Sequence, residues 1–111
     1  MLETFAKVRW NITFIEEEIS KIDGSEKIKK KILNICAAIS SVLGKIGEWK
    51  DAEIIAGIKK ELNRFDDIIG KIEDDDENGD LYMLLITHVA DIRFLFLSKE
   101  EQESVLDAIK K

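Results

Sequence analysis

An all-α fold, an antiparallel up-and-down four-helix bundle with a short fifth C-terminal helix, is what this 111-residue sequence predicts. Three observations point to it. Proline is absent and most of the six glycines fall where helices would end, the punctuation of a helical chain. Apolar residues recur three and four positions apart over long stretches, with no segment alternating at period two. The gaps between these stretches are short, which makes successive helices antiparallel neighbours.

Leu2, Phe5, Val8, Ile12, Ile15, Ile19 and Ile22 form the first stripe, and Asp23-Gly24 stops the helix, glycine being suited to a left-handed cap. Ser25 is the expected N-cap of a second helix with the stripe Ile28, Ile32, Ile35, Ile39, Val42 and Ile46. A third helix follows Asp51 and presents Ile55, Ile58, Leu62, Phe65, Ile69 and Ile72. Isoleucine favours strands by propensity, but a helical period sustained over six turns outweighs that preference. Asp80 is placed as cap of the fourth helix. Ser98-Lys99-Glu100-Glu101 is a capping box opening the fifth, with Val105, Leu106 and Ile109 inward. The predicted helices are about 2–22, 26–46, 52–72, 81–97 and 99–110, all in a single domain spanning 1–111.

Two helices carry more apolar surface than such a bundle hides. With ~100° per residue, Ala6, Trp10 and Phe14 fall opposite the first helix's main stripe. Either the fifth helix or a loop covers that line, or another chain does. The fourth helix is apolar nearly all round, Phe94 included, and a helix of that kind needs burial nearly all round. Ala6, Trp10, Phe14 and Phe94 are therefore the candidate protein interface, and a homo-oligomer, most simply a twofold dimer, is expected. On the second helix Ala37, Ser40, Ser41 and Gly44 form a small-residue face open to close approach.

The formal net charge of −6 and pI near 4.9 remove the attraction that nucleic-acid binding needs, so no nucleic-acid partner is expected. The one basic cluster, Lys27, Lys29, Lys30 and Lys31, is expected to meet the acidic run at Glu73 to Glu77 at the same end of the bundle. Cys36 lies among Ile35, Ala37, Ala38 and Ile39 and reads as a small core residue. No apolar run reaches the ~20 residues of a membrane span, and the charged N-terminus does not resemble a leader. A cytoplasmic protein with no membrane association is the expectation.

Catalytic patterns fail in turn. His88 is the only histidine; with Thr87 and Asp91 it makes a narrow polar stripe whose groups are expected to satisfy one another. Leu85 stands where a carboxylate-bridged di-metal bundle would place the glutamate of Glu-x-x-His. Glu16, Glu17 and Glu18 are consecutive and face several directions, so a magnesium-dependent hydrolase using them with Asp91 is only an alternative. Asp74-x-Asp76-x-Asn78-Gly79-Asp80 resembles the first half of an EF-hand loop, a resemblance that implies Asp74, Asp76, Asn78 and Asp80 as calcium ligands. Its twelfth position is Leu85 rather than the bidentate glutamate, and there is no second hand. The leading expectation is a non-enzymatic protein acting through protein contacts, as an adaptor, regulator or small subunit, with no cofactor.

Overall fold

The isoleucine stripes face one another around a shared axis. In the computed structural model, which describes residues 1–110, the chain forms α1 (Leu2–Ile19), α2 (Glu26–Leu43), α3 (Asp51–Ile72), α4 (Gly79–Leu95) and α5 (Lys99–Lys110), with one 3-10 turn at Asp76–Asn78 before α4. α1 packs on α2 and α4, and α3 packs on the same two, so the first four helices close an antiparallel ring. Inside it lie Phe5, Val8, Ile12, Ile15 and Ile19 of α1, Ile32, Ile35, Cys36, Ile39 and Leu43 of α2, six residues of α3 from Ile54 to Ile72, and Leu81, Leu85, Val89 and Ile92 of α4. Burial of these side chains stabilises the fold by about 1.5–3 kcal/mol each before chain entropy is counted. No helix among the described residues is long and apolar enough to cross a membrane.

Several boundaries move. α1 and α2 each end one turn earlier than their apolar spacing implies: Ser20 Oγ donates to Glu17 O at 2.8 Å, and after Leu43 the bonds tighten to i to i−3, Lys45 N donating to Val42 O at 3.0 Å. Leu2 and Ile46, placed in the stripes by spacing, are exposed because they sit at open helix ends. On α3, Ile54 and Ile68 are buried and their neighbours Ile55 and Ile69 lie at the edge. The buried face precesses along a helix of 3.6 residues per turn. α4 begins at Gly79, so Asp80 sits in its first turn and is not its cap. The two caps expected from serine do form: Ile28 N donates to Ser25 Oγ at 3.3 Å, and Ser98 and Glu101 exchange backbone-to-side-chain bonds of 3.0 and 3.1 Å.

Gly24 does not adopt the left-handed conformation; among the described residues only Gly47, in the α2–α3 loop, has a positive φ, 96°. Gly24 is required for space instead. A Cβ there would lie 2.7 Å from Leu81 Cδ1 and 3.0 Å from Asn78 Oδ1. The two helical corners at this end are pressed together, and Asn78 Oδ1 accepts from Ser25 N at 2.9 Å across them. The expected lysine–carboxylate contact is absent among the described residues. Lys29 pairs with Glu26 of its own helix at 3.6 Å, and the neutral amide joins the corners. The small-residue face of α2 also receives no helix, Ala37 and Ser41 being exposed. The close approach on α2 is elsewhere: Val42 Cγ1 lies 3.0 Å from where a Cβ of Gly57 would stand.

α5 departs most from expectation. None of its residues is buried; Val105, Leu106 and Ile109 are 40%, 46% and 74% exposed instead of inward. The ring is closed without it, and only its first turns are held, by Gln102 Nε2 donating to Phe94 O at 2.9 Å. A bundle with a 22-residue helix spans ~33 Å along its axis and about 20 Å across. The molecule measures 41 × 38 × 21 Å, and the second long dimension is accounted for by α5 projecting sideways.

Two glycine substitutions separate space from propensity. Gly24→Ala is expected to lower unfolding free energy by about 1–3 kcal/mol through overpacking against Leu81. Gly70→Ala, on an exposed helical position with nothing within 4 Å, should raise it by ~0.5–1 kcal/mol. Urea midpoints of the two variants check both signs.

Candidate protein interface

Between α1 and α4 the polar and aromatic side chains are stacked in layers from core to water. Asn11 follows Trp10 on α1 and turns inward beside Ile12, where it is buried. Its Nδ2 donates to Lys7 O at 3.0 Å, which leaves Oδ1 as an acceptor. His88 Nδ1 lies 2.8 Å from that oxygen, so Nδ1 carries the proton and the free lone pair of the neutral ring is on Nε2. No buried side-chain nitrogen or oxygen among the described residues lacks a hydrogen-bond partner.

Phe14 covers the imidazole with ring centroids 4.6 Å apart, and Trp10 stacks on Phe14 at 5.7 Å with an interplanar angle of 26°. Trp10 is 63% exposed, so this stack ends in water. It borders a shallow groove of about 310 Å³ lined by Lys7, Trp10, Asn11, Asp91, Phe94 and Leu95. The structure thus brings Trp10 and Phe94 to one groove and sets Phe14 beneath Trp10; Ala6 lies exposed one turn before Trp10 on the same helix. α5 lines no part of this groove.

His88 is satisfied by Asn11, and not by Thr87 or Asp91 as its own helix suggested; those two side chains are exposed. Burial holds its pKa below the ordinary value, while the negative charges of Asp91 and Glu18 pull weakly the other way. Asn11 is the residue that sequence reasoning missed. Its only signal is a position next to Ile12, on the buried side of an otherwise apolar stripe.

The acidic corner is a hydrogen-bonded turn. Asp75 Oδ1 accepts from Glu77 N at 3.0 Å, and Asp75 Oδ2 accepts from Asn78 Nδ2 at 2.8 Å. Asn78, candidate ligand of the EF-hand-like spacing, is buried with both ends of its amide used by the protein. Asp74, Asp76 and Asp80 are exposed. Among the described residues no three acidic, histidine or cysteine side chains converge on a common point. This applies equally to Glu16, Glu17 and Glu18, the last of which contacts Lys21 at 3.3 Å. Cys36 is buried and its thiol is pushed up to about 12, by burial first and then by Glu16, which leaves it unreactive.

A second apolar depression, about 420 Å³, runs between α3, α4 and the base of α5 and is lined in part by Ile69, Ile86, Ala90, Phe94, Leu97 and Val105. Arg93 and Asp66 form a two-pronged ion pair at its edge, with contacts of 2.8 and 2.6 Å. Comparison with family models, curated proteins and solved structures gives no match to this chain.

His88 makes stability depend on pH with a fixed sign. Its folded-state pKa is lowered, so below the ordinary value of 6.5 the unfolded chain binds more protons than the native one. Its contribution is complete above that value and is lost as pH falls through it towards the folded pKa. Between pH 7.5 and pH 5.5 the thermal midpoint should drop further in the native sequence than in His88→Gln. Equal drops would mean that the ring is not desolvated.

Proposed function

We propose that this chain is a non-enzymatic, cytoplasmic helical-bundle protein that works by protein–protein contact, with the α1–α4 seam of Ala6, Trp10, Phe14 and Phe94 as its docking face. Self-association into a twofold dimer forms part of this reading. The observation that carries it is the exposure of Trp10 on a backing that is already ordered. Tryptophan at an interface centre typically dominates binding. Here its ring rests on Phe14, which rests on a histidine fixed by a buried asparagine. Little side-chain freedom remains to be lost when a partner arrives, which favours affinity for a given area. The overall charge of −6 favours a partner whose contact rim is basic.

Trp10→Ser tests the seam. Because Trp10 is mostly in water, the variant should unfold within ~0.5 kcal/mol of the native sequence. Cross-linking in extracts of the source cells should join the native chain to a discrete protein, and the variant should lose at least ~10-fold of that product. An undiminished product would contradict the seam. A magnesium-dependent hydrolysis of nucleotides abolished by Glu18→Gln would contradict the non-enzymatic reading.

A further inference from the structure

Among the described residues, α5 ends in an apolar face that is progressively less covered by the bundle. Gln102, Val105, Leu106 and Ile109 lie three and four residues apart, on one side of the helix. Exposure along this stripe rises from the half-buried Gln102, through Val105 and Leu106, to Ile109. The helix is held at its start and leaves the bundle towards its end. Beside it lies the apolar depression formed by Ile69, Ile86, Ala90 and Phe94, with Val105 as one wall. A projecting ridge and an open seat therefore occur on the same molecule, side by side.

We propose that α5 is a dimerisation arm: two copies of this chain exchange contacts reciprocally through it, each α5 staying on its own bundle, lying antiparallel to the other and seated in the depression between α3, α4 and α5 of its neighbour. This rests on the reading of the chain as a protein that works by contact, but it uses a different surface from the α1–α4 seam: the two share Phe94 at their border, and Trp10 lies outside the depression.

Two pairs of residues in α5 are complementary under a twofold operation. About the midpoint between Val105 and Leu106, a twofold axis sets Val105 opposite Leu106 and Gln102 opposite Ile109 of the second copy. The same operation sets Glu101 opposite Lys110, so the acidic first turn of each arm meets the basic last turn of the other. Antiparallel pairing also aligns the helix dipoles favourably, whereas a parallel pair would bring Glu100 and Glu101 against their counterparts. A C2 contact requires this self-complementarity.

Area decides between a second copy and a foreign groove. A 12-residue helix is ~18 Å long, and half of its circumference seated in a groove removes roughly 700 Å² from water, counting both sides. That lies below the ~1,200 Å² at which specific complexes begin. Two reciprocal seats double it to about 1,400 Å², within the standard range. One arm in one foreign groove makes a weak contact; the exchange makes a sufficient one.

Sedimentation of the full chain over a range of concentration tests the exchange. The native protein should run at twice 12.7 kDa, and Leu106→Glu and Ile109→Glu should each raise the dissociation constant at least ~30-fold. Neither residue is buried in the bundle, so both variants should keep the native helical circular dichroism, and Trp10→Ser should leave the dimer intact. A dimer that survives Leu106→Glu, or one lost in Trp10→Ser, overturns the exchange; the second outcome moves the self-contact to the α1–α4 seam. A native monomer also overturns it, and hydrogen exchange then shows what holds the arm. Protected α5 amides mean closure onto its own bundle, and unprotected ones leave the arm to a different protein. Loss of cross-linked partner in Trp10→Ser is independent of all these outcomes, so the seam and the arm fail separately.

Discussion

Everything else in the molecule depends on the mutual burial of four apolar stripes in a closed ring. Once α1 to α4 pack in order around one axis, every stripe has a partner on each side and the interior is full. Whatever apolar surface a helix carries beyond its stripe must then stay outside. That constraint leaves Trp10 and Phe14 on the back of α1, Met83 and Phe94 on α4, Leu97 just beyond it, and the ridge of α5 at or near the surface. The ring turns surplus hydrophobicity into available contact surface.

The two ends of the ring are built differently. At the end where α1 meets α2 and α3 meets α4, the corners are locked by a short relay from Asp75 to Asn78 to the backbone of Ser25, over a Gly24 that leaves no room for a side chain. Buried amides that use both of their ends are stabilising and specific to one arrangement. The opposite end holds the Gly47 turn, exposed Ile46 and Trp49, and the departure of α5.

Residues whose role is set within a few positions of sequence were legible. The stripes follow from helical period, and the Ser25 and Ser98 caps from side chains that bond backbone three residues on. Roles set by a distant segment were not. Gly24 looks like a helix stop, but its necessity comes from Leu81. Asn78 looks like a ligand, but its oxygen belongs to Ser25, 53 residues away. His88 looked paired to its own helix, yet its partner is Asn11, across 77 residues. The extent of α5 follows from its capping box, but the inward burial expected of Val105, Leu106 and Ile109 fails for a related reason: an amphipathic pattern says that a face wants cover, and not whose surface supplies it. The aromatic line of Ala6, Trp10 and Phe14 is legible from its angle to the main stripe, whereas the support it receives from His88 depends on a contact between α1 and α4 that spacing along one helix does not show.

The most direct measurement is urea unfolding of the full chain and of a chain cut after Leu97, both at concentrations low enough to prevent association. If the four-helix ring is complete by itself, the shortened chain should unfold in one cooperative transition, within about 1 kcal/mol of the full chain, the value of the lost Gln102 bond. A shortened chain that loses several kcal/mol, or unfolds without cooperativity, would show that α5 belongs to the core and would contradict its role as an outward arm.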